Sequence, residues 1–179
     1  MIGGIDPVEI KRHLHIARSA PDTDAQGKAY EALALYLFEN IPGCLAERDG
    51  VSFFRSEQID LGVCNGRHQD GLHALPPVIL VECKNWSHPV DSSTLGYFIN
   101  ILANRCVETG ILIAANGITG DSHEYTNANA LGVSAMARGI KVLVITTEEI
   151  EALTCTADFV ELLLRRFLLA YMRGGVGVP

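Results

Sequence analysis

At 179 residues and 48% hydrophobic, the chain is long and apolar enough to bury one core, which excludes an intrinsically disordered protein. Its formal net charge of −7, from 14 Lys and Arg against 21 Asp and Glu, argues against a domain that grips nucleic acid by overall positive charge, because phosphate neutralisation supplies most non-specific affinity. The five cysteines (Cys44, Cys64, Cys83, Cys106, Cys155) are odd in number and nowhere spaced as Cys-x-x-Cys, which argues against a zinc site or a disulfide framework.

Set among apolar neighbours, these cysteines read as small buried hydrophobes, and reduced thiols fit a cytoplasmic protein. The first residues carry no signal-peptide pattern, and no apolar run is long enough to cross a membrane. Three segments follow from the pattern: an N-terminal helix and linker over 1–25, a core over 26–155, and a C-terminal helix with a loose tail over 156–179.

Residues 6–19 predict a helix with Asp6 as cap and Pro7 in its first position. Its Lys11, Arg12, His13, His15 and Arg18 form either a solvated face or a local patch for phosphates. After a linker over 20–25, a second helix is expected over 26–40. Tyr30, Leu33, Ala34, Leu37 and Ile41 make its apolar stripe, and Pro42-Gly43 ends it. Glu31 stands at the edge of that stripe, where a carboxylate is costly to bury without a cation or donors.

From Cys44 to Cys64 the pattern becomes β-like, with strands expected over 51–55 and 58–63. In the second, Ile59, Leu61 and Val63 take one face while Gln58, Asp60 and Gly62 take the other. A polar loop over 65–77 leads to the continuous apolar run 78–83, the signature of a strand covered on both sides. Asp91, Ser92 or Ser93 caps a helix expected over 93–108, with Leu95, Phe98, Ile99, Leu102 and Cys106 as its stripe. A strand over 110–115, a loop over 116–120, a helix over 125–138 and a strand over 141–145 follow. Thr146 and Glu149 match a capping box, and a last helix is expected over 158–172. That helix is apolar on more than one side, which suggests cover by a second subunit. Strands alternating with helices make the class α/β, with an early antiparallel meander and later crossover units.

The chemistry concentrates in Ser56–Val63 and Val78–Trp86. Glu82 and Lys84 are two apart on a strand, so they share a face at the end of a buried run. Asp60, on a neighbouring strand, can aim at the same spot. Two converging carboxylates repel unless a cation joins them, and Mg²⁺ suits a site offering a few carboxylate oxygens and room for waters. The Cys83 backbone carbonyl is a natural further ligand, and Glu31, if it packs beside the strands, could hold a second metal ion or the water network. Such an ion polarises a phosphoryl group and acidifies bound water, while Lys84 could orient or deprotonate that water and meet developing charge. The alternative is a plain Glu82–Lys84 ion pair at a strand end.

Glu31, Asp60 and Glu82-Cys83-Lys84 together resemble the signature of the PD-(D/E)xK nuclease superfamily, nearest to Mrr-type restriction endonucleases. The resemblance runs from Gly27-Lys28-Ala29-Tyr30-Glu31 through Gly117-Ile118-Thr119-Gly120 to about Leu153. It implies an α/β/α sandwich around a mixed central sheet. It also implies Asp60 and Glu82 as metal ligands, Lys84 as catalytic base, Glu31 as the first-helix acid, Mg²⁺ (with Mn²⁺ able to substitute) and DNA as substrate. Ile59 stands where the family has proline. The helix that often carries a glutamine offers Asn100, Asn104 and Arg105 instead. Relatives often carry a separate DNA-reading domain, for which this chain has no room, so a recognition or defence-system subunit is expected as partner, beside a homodimer. The reading is therefore an Mg²⁺-dependent DNA endonuclease of restriction type. The alternatives are a module of this fold that no longer cuts, or a nuclease for RNA or branched DNA. Lys11, Arg12 and Arg18, with Lys28, Arg48 or Arg55, are expected to line a groove that offsets the negative total.

Overall fold

The structure, a computed structural model, describes residues 4–51, 58–119, 135 and 138–173. Helix α1 (Pro7–Arg18) opens as expected: the Asp6 side chain accepts the Val8 N–H at 2.8 Å, and Pro7 fills the first position. Helix α2 (Thr23–Glu39) begins before the expected Gln26, because Asp22 accepts the Ala25 N–H at 2.8 Å and satisfies the first turn there. Its expected stripe is buried, with Phe38 added. Gly43 then turns the chain at φ 79, a conformation that favours glycine.

Five strands follow: β1 (Cys44–Val51), β2 (Gln58–Asn65), β3 (Val78–Lys84), β4 (Thr109–Ala114) and β5 (Lys141–Ile145). They lie in the sheet in chain order. The β1–β2 and β2–β3 pairs are antiparallel, and the β3–β4 and β4–β5 pairs are parallel. The sheet is thus mixed, a meander leading into crossover units, as the sequence pattern predicts. Of the strand expected over 51–55, Val51 ends β1 and the rest lies outside the described residues. The helix expected over 125–138 falls almost wholly outside them too.

Side-chain alternation divides the interior into two layers. Ile79, Val81, Ile111, Ile113, Leu143 and Ile145 face one way, into a core shared with α1, α2, α4 (Thr147–Glu151) and α5 (Thr156–Arg173). Leu80, Leu112, Ala114, Val142 and Val144 face the other way, onto α3 (Ser92–Asn104). Helices therefore cover both faces, and the architecture is an α/β/α sandwich. Helix α3 sits very close to β4: a Cβ on Gly110 would lie 2.6 Å from Leu102 and 2.7 Å from Phe98. The missing side chain is what permits that approach.

Smaller corrections have local causes. Helix α3 starts at Ser92 under an Asp91 cap but ends at Asn104, not 108, and Cys106 takes φ 53 in the turn that follows. Cys64, Cys106 and Cys155 are exposed, against expectation. The first alternates outward from the buried Val63, and the other two sit in turns beside α3 and α5. The capping box of Thr146 and Glu149 forms as expected, and Glu149 also pairs with the buried Arg166 of α5. Among the described residues no helix is long and apolar enough to cross a membrane.

Candidate active site

The β2–β3 ladder runs from Cys64↔Val78 to Leu61↔Val81. One residue beyond the last pair, the Asp60 carboxylate takes over the ladder's role: its Oδ2 accepts the Cys83 N–H at 2.7 Å. A side chain thus replaces a backbone acceptor where the two strands part. Asp60 is thereby fixed beside the end of β3, where Glu82 and Lys84 share a face. Lys84 Nζ lies 2.6 Å from Glu82 Oε1. The other carboxylate oxygen, Glu82 Oε2, is buried without a hydrogen-bond partner among the described residues.

The electrostatics follow from two acids meeting one base with little water. Burial, then the Glu82 charge, push Asp60 up to about 7, against the pull of the Cys83 N–H and Lys84. Burial likewise raises Glu82, opposed by the charge and hydrogen bond of Lys84. For Lys84, burial favours loss of the proton, but the charge and hydrogen bond of Glu82, with the charge of Asp60, outweigh it and raise its pKa. The resting state is therefore an ammonium between two carboxylates that both hold protons more tightly than usual.

The structure thus brings Asp60, Glu82 and Lys84 together, with the Cys83 backbone between them. It does not gather Glu31 with them as a third carboxylate. Glu31 lies on α2, and its Oε2 is engaged by Arg48 at 2.7 Å. Arg48 stands opposite Leu61 in the β1–β2 register, which places the pair on the α2 side of the sheet. The Glu31 charge still reaches the site, as a minor contribution that raises both Asp60 and Glu82. Among the described residues no three His, Cys, Asp or Glu side chains form a ready metal cage. The donor set suits a hard cation that takes two carboxylates and keeps waters, and the unpartnered Glu82 oxygen is the atom such a cation would satisfy.

A cavity of about 500 Å³ is lined by Asn85 and Trp86, just past the end of β3, and by residues of α1 and α2, while Asp60, Glu82 and Lys84 lie outside its lining. It opens at the carboxyl ends of β3, β4 and β5, the end where open α/β sheets take ligands. The ring centre of Trp86 lies 5.9 Å from Lys84 Nζ. Asn116 Nδ2 donates to the Trp86 carbonyl at 2.5 Å, and His88 tilts against the indole at 5.2 Å. Trp86 stands two residues past the end of β3, and its place beside Lys84 had no signal in the strand pattern. Arg48 as the partner of Glu31 was no more legible, since the register of β1 has no signature in its polar sequence.

The expected basic groove needs correction. Arg12 pairs with Glu9 at 2.8 Å, Arg18 with Glu151 at 2.5 Å, Lys28 with Asp24 at 2.7 Å, and Arg48 with Glu31. Each of these four cations has an acid beside it, which leaves Lys11 as the one described member of the expected groove without an acidic partner. Arg55 lies outside the described residues.

A family model described as a restriction endonuclease, the Mrr catalytic domain, matches residues 30–139. That span holds Glu31, Asp60, Glu82 and Lys84. No curated protein matches the chain.

Proposed function

Because the chain belongs to the Mrr-type restriction endonuclease family, a PD-(D/E)xK-type nuclease family, we propose that it is a magnesium-dependent endonuclease acting on DNA, with Asp60, Glu82 and Lys84 at the reacting centre. The observation that carries this reading is the meeting of two buried carboxylates and one ammonium where β2 parts from β3, with a Glu82 oxygen left unpartnered. A structural ion pair needs one acid and one base. The second acid adds an uncompensated negative charge in a poorly solvated place, which a cation would offset.

Asp60 and Glu82 would hold the ion, with the Cys83 carbonyl as a further ligand. Bound there, Mg²⁺ or Mn²⁺ supplies a Lewis acid for the phosphoryl oxygen and lowers the pKa of a bound water. The chain's own groups do the rest. The Cys83 N–H commits one Asp60 oxygen and fixes the carboxylate's orientation. Lys84, held protonated by its two neighbours, donates a charged hydrogen bond that orients the attacking water and meets charge developing on the phosphoryl oxygens. It can act as a base only where the field of the two carboxylates is offset. Glu31 acts on them through its charge, on a tether set by Arg48.

The ion-paired surface cations give the domain little free positive charge, so it binds DNA weakly by itself. A recognition subunit or a second copy of the chain would supply the missing grip. The test is cleavage of plasmid, linear duplex and RNA in Mg²⁺, Mn²⁺ or EDTA, beside Asp60→Asn and Lys84→Ala. Metal-dependent cutting of DNA that both substitutions abolish supports the reading. Binding without cutting under every condition would leave a retired module instead, and cutting of RNA alone would move the substrate.

A further inference from the structure

We propose that the cavity beside Lys84 seats one unpaired base of the substrate strand, so that the preferred substrate has an unstacked nucleotide next to the scissile phosphate. The inference rests on the functional reading above only in taking the ligand to be a nucleic-acid strand. Four observations carry it.

The first is size. About 500 Å³ falls within the range of small-ligand clefts, roughly 300–1,000 Å³. A duplex, whose major groove alone is about 12 Å wide, cannot enter it, but one nucleoside can. The second is lining chemistry. Trp86 is half-buried, packed in part on the α3 core, and it lines the cavity together with His88, whose ring lies 5.2 Å from the indole. Aromatic rings are the surfaces on which unpaired bases stack. Gln26, Asn85 and Asn116 add amide groups around the same space, and amides carry both the donor and the acceptor that a base edge requires. The Gln26 and Asn85 side chains make no hydrogen bond to another described residue, so they are open to a ligand.

The third is charge. Among the described residues the lining holds one Lys or Arg, Arg18, and its guanidinium is tied to Glu151 at 2.5 Å. With no free cation the cavity is poorly made for a phosphate and well made for the neutral part of a nucleotide. The fourth is placement. The cavity lining includes Trp86, whose ring centre lies 5.9 Å from the Lys84 ammonium. A phosphate held at Lys84 therefore has a stacking surface one side chain away. The floor is fixed rather than adaptable: the Lys84 carbonyl accepts the Ala115 N–H at 2.9 Å, and Asn116 holds the Trp86 backbone.

Trp86 is the single tryptophan of the chain, so its fluorescence reports on this cavity directly. The full chain, with Ca²⁺ in place of Mg²⁺, is titrated with a 12-nucleotide single strand of mixed sequence, with the same strand in a blunt duplex, and with an abasic strand of equal length. The single strand should change Trp86 emission saturably, with a Kd about tenfold below that of the abasic strand, and the blunt duplex should leave the emission unchanged. Gln26→Ala, on a solvent-edge turn of α2, should weaken single-strand binding about threefold without altering the thermal melt. In cleavage, Trp86→Leu should raise KM for a substrate with an unpaired nucleotide about tenfold more than it raises KM for a blunt duplex.

Equal responses to the abasic strand, or to the blunt duplex, would overturn the proposal. So would a Gln26→Ala protein that binds as the parent does. The two readings fail separately. Strand-specific quenching without any cleavage in Mg²⁺ upholds the base pocket and removes the nuclease. Cleavage of every DNA tested with Trp86 emission unmoved upholds the nuclease and removes the pocket.

Discussion

Two clusters of half-buried charge differ in their balance of acids and bases. On the α2 side, Glu31 and Arg48 meet at 2.7 Å as one acid and one base. Where β2 parts from β3, Asp60 and Glu82 share a single base, Lys84, which touches Glu82 at 2.6 Å. Both clusters are shielded from water, so burial does not distinguish them. The charge count does. The first is balanced and can serve the fold alone. The second keeps a net negative charge in a poorly solvated place, which raises both carboxylates and calls for a positive ligand.

The largest expected effect tests that contrast directly. Asp60→Asn and Lys84→Ala should each lower single-turnover cleavage by at least about a hundredfold, the scale of losing one preorganised electrostatic group. Asp60→Asn can still accept the Cys83 N–H, so its thermal melt should not fall. Arg48→Met should do the reverse: cleavage stays within about tenfold of the parent while stability falls by roughly 1–3 kcal/mol, since Glu31 is left half-buried without its cation. Arg48→Met abolishing cleavage at unchanged stability would erase the distinction between the two clusters.

Next in size is a pH effect confined to the unbalanced cluster. Asp60 titrates at about 7 in the fold against an ordinary carboxylate value of 3.8. The folded state therefore holds more protons than the unfolded state between those limits, and stability declines as pH rises through that window. In EDTA the protein should melt several degrees lower at pH 8 than at pH 5, and Asp60→Asn should flatten that slope. Added Mg²⁺ should recover stability at pH 8 and do little at pH 5. A metal-free melting temperature that climbs with pH from 5 to 8 would contradict the assigned charge imbalance.

How much of this was readable in the sequence depends on how local the cause is. Glu82 and Lys84 were legible because a two-residue period and an apolar run fix which way they point, whereas the expected single face of Ile59, Leu61 and Val63 breaks at Ile59, which packs with the α3-side core. The α/β class, the meander and the Thr146–Glu149 box were legible because each rests on short-range pattern or capping chemistry. The start of α2 was misjudged because Asp22 caps from outside the apolar stripe. The exposed Cys64, Cys106 and Cys155 were misjudged because flanking hydrophobes point elsewhere than a turn residue does. Least legible was the partner of each cation. The Arg18–Glu151 pair bridges α1 and α4, and the Arg48–Glu31 pair depends on how β1 registers under α2. Charge totals foresee neither pairing, so the sequence suggested a basic groove where the fold has neutral pairs.

The smallest expected effect comes from opening one of those pairs. Arg18 is 63% and Glu151 41% exposed at the side chain, so the pair is solvent-screened and contributes little to the fold. Glu151→Gln should therefore leave the melting temperature unchanged within about a degree. It also frees a guanidinium at the rim of the cavity, where a strand leaving Lys84 would pass. One recovered phosphate contact steepens the log–log dependence of DNA affinity on salt by about 0.9. It should tighten binding about two- to threefold at low ionic strength, an advantage that fades as salt rises. A salt slope unmoved by Glu151→Gln would place the DNA path away from α1. The balanced pairs of the surface would then be bystanders to binding.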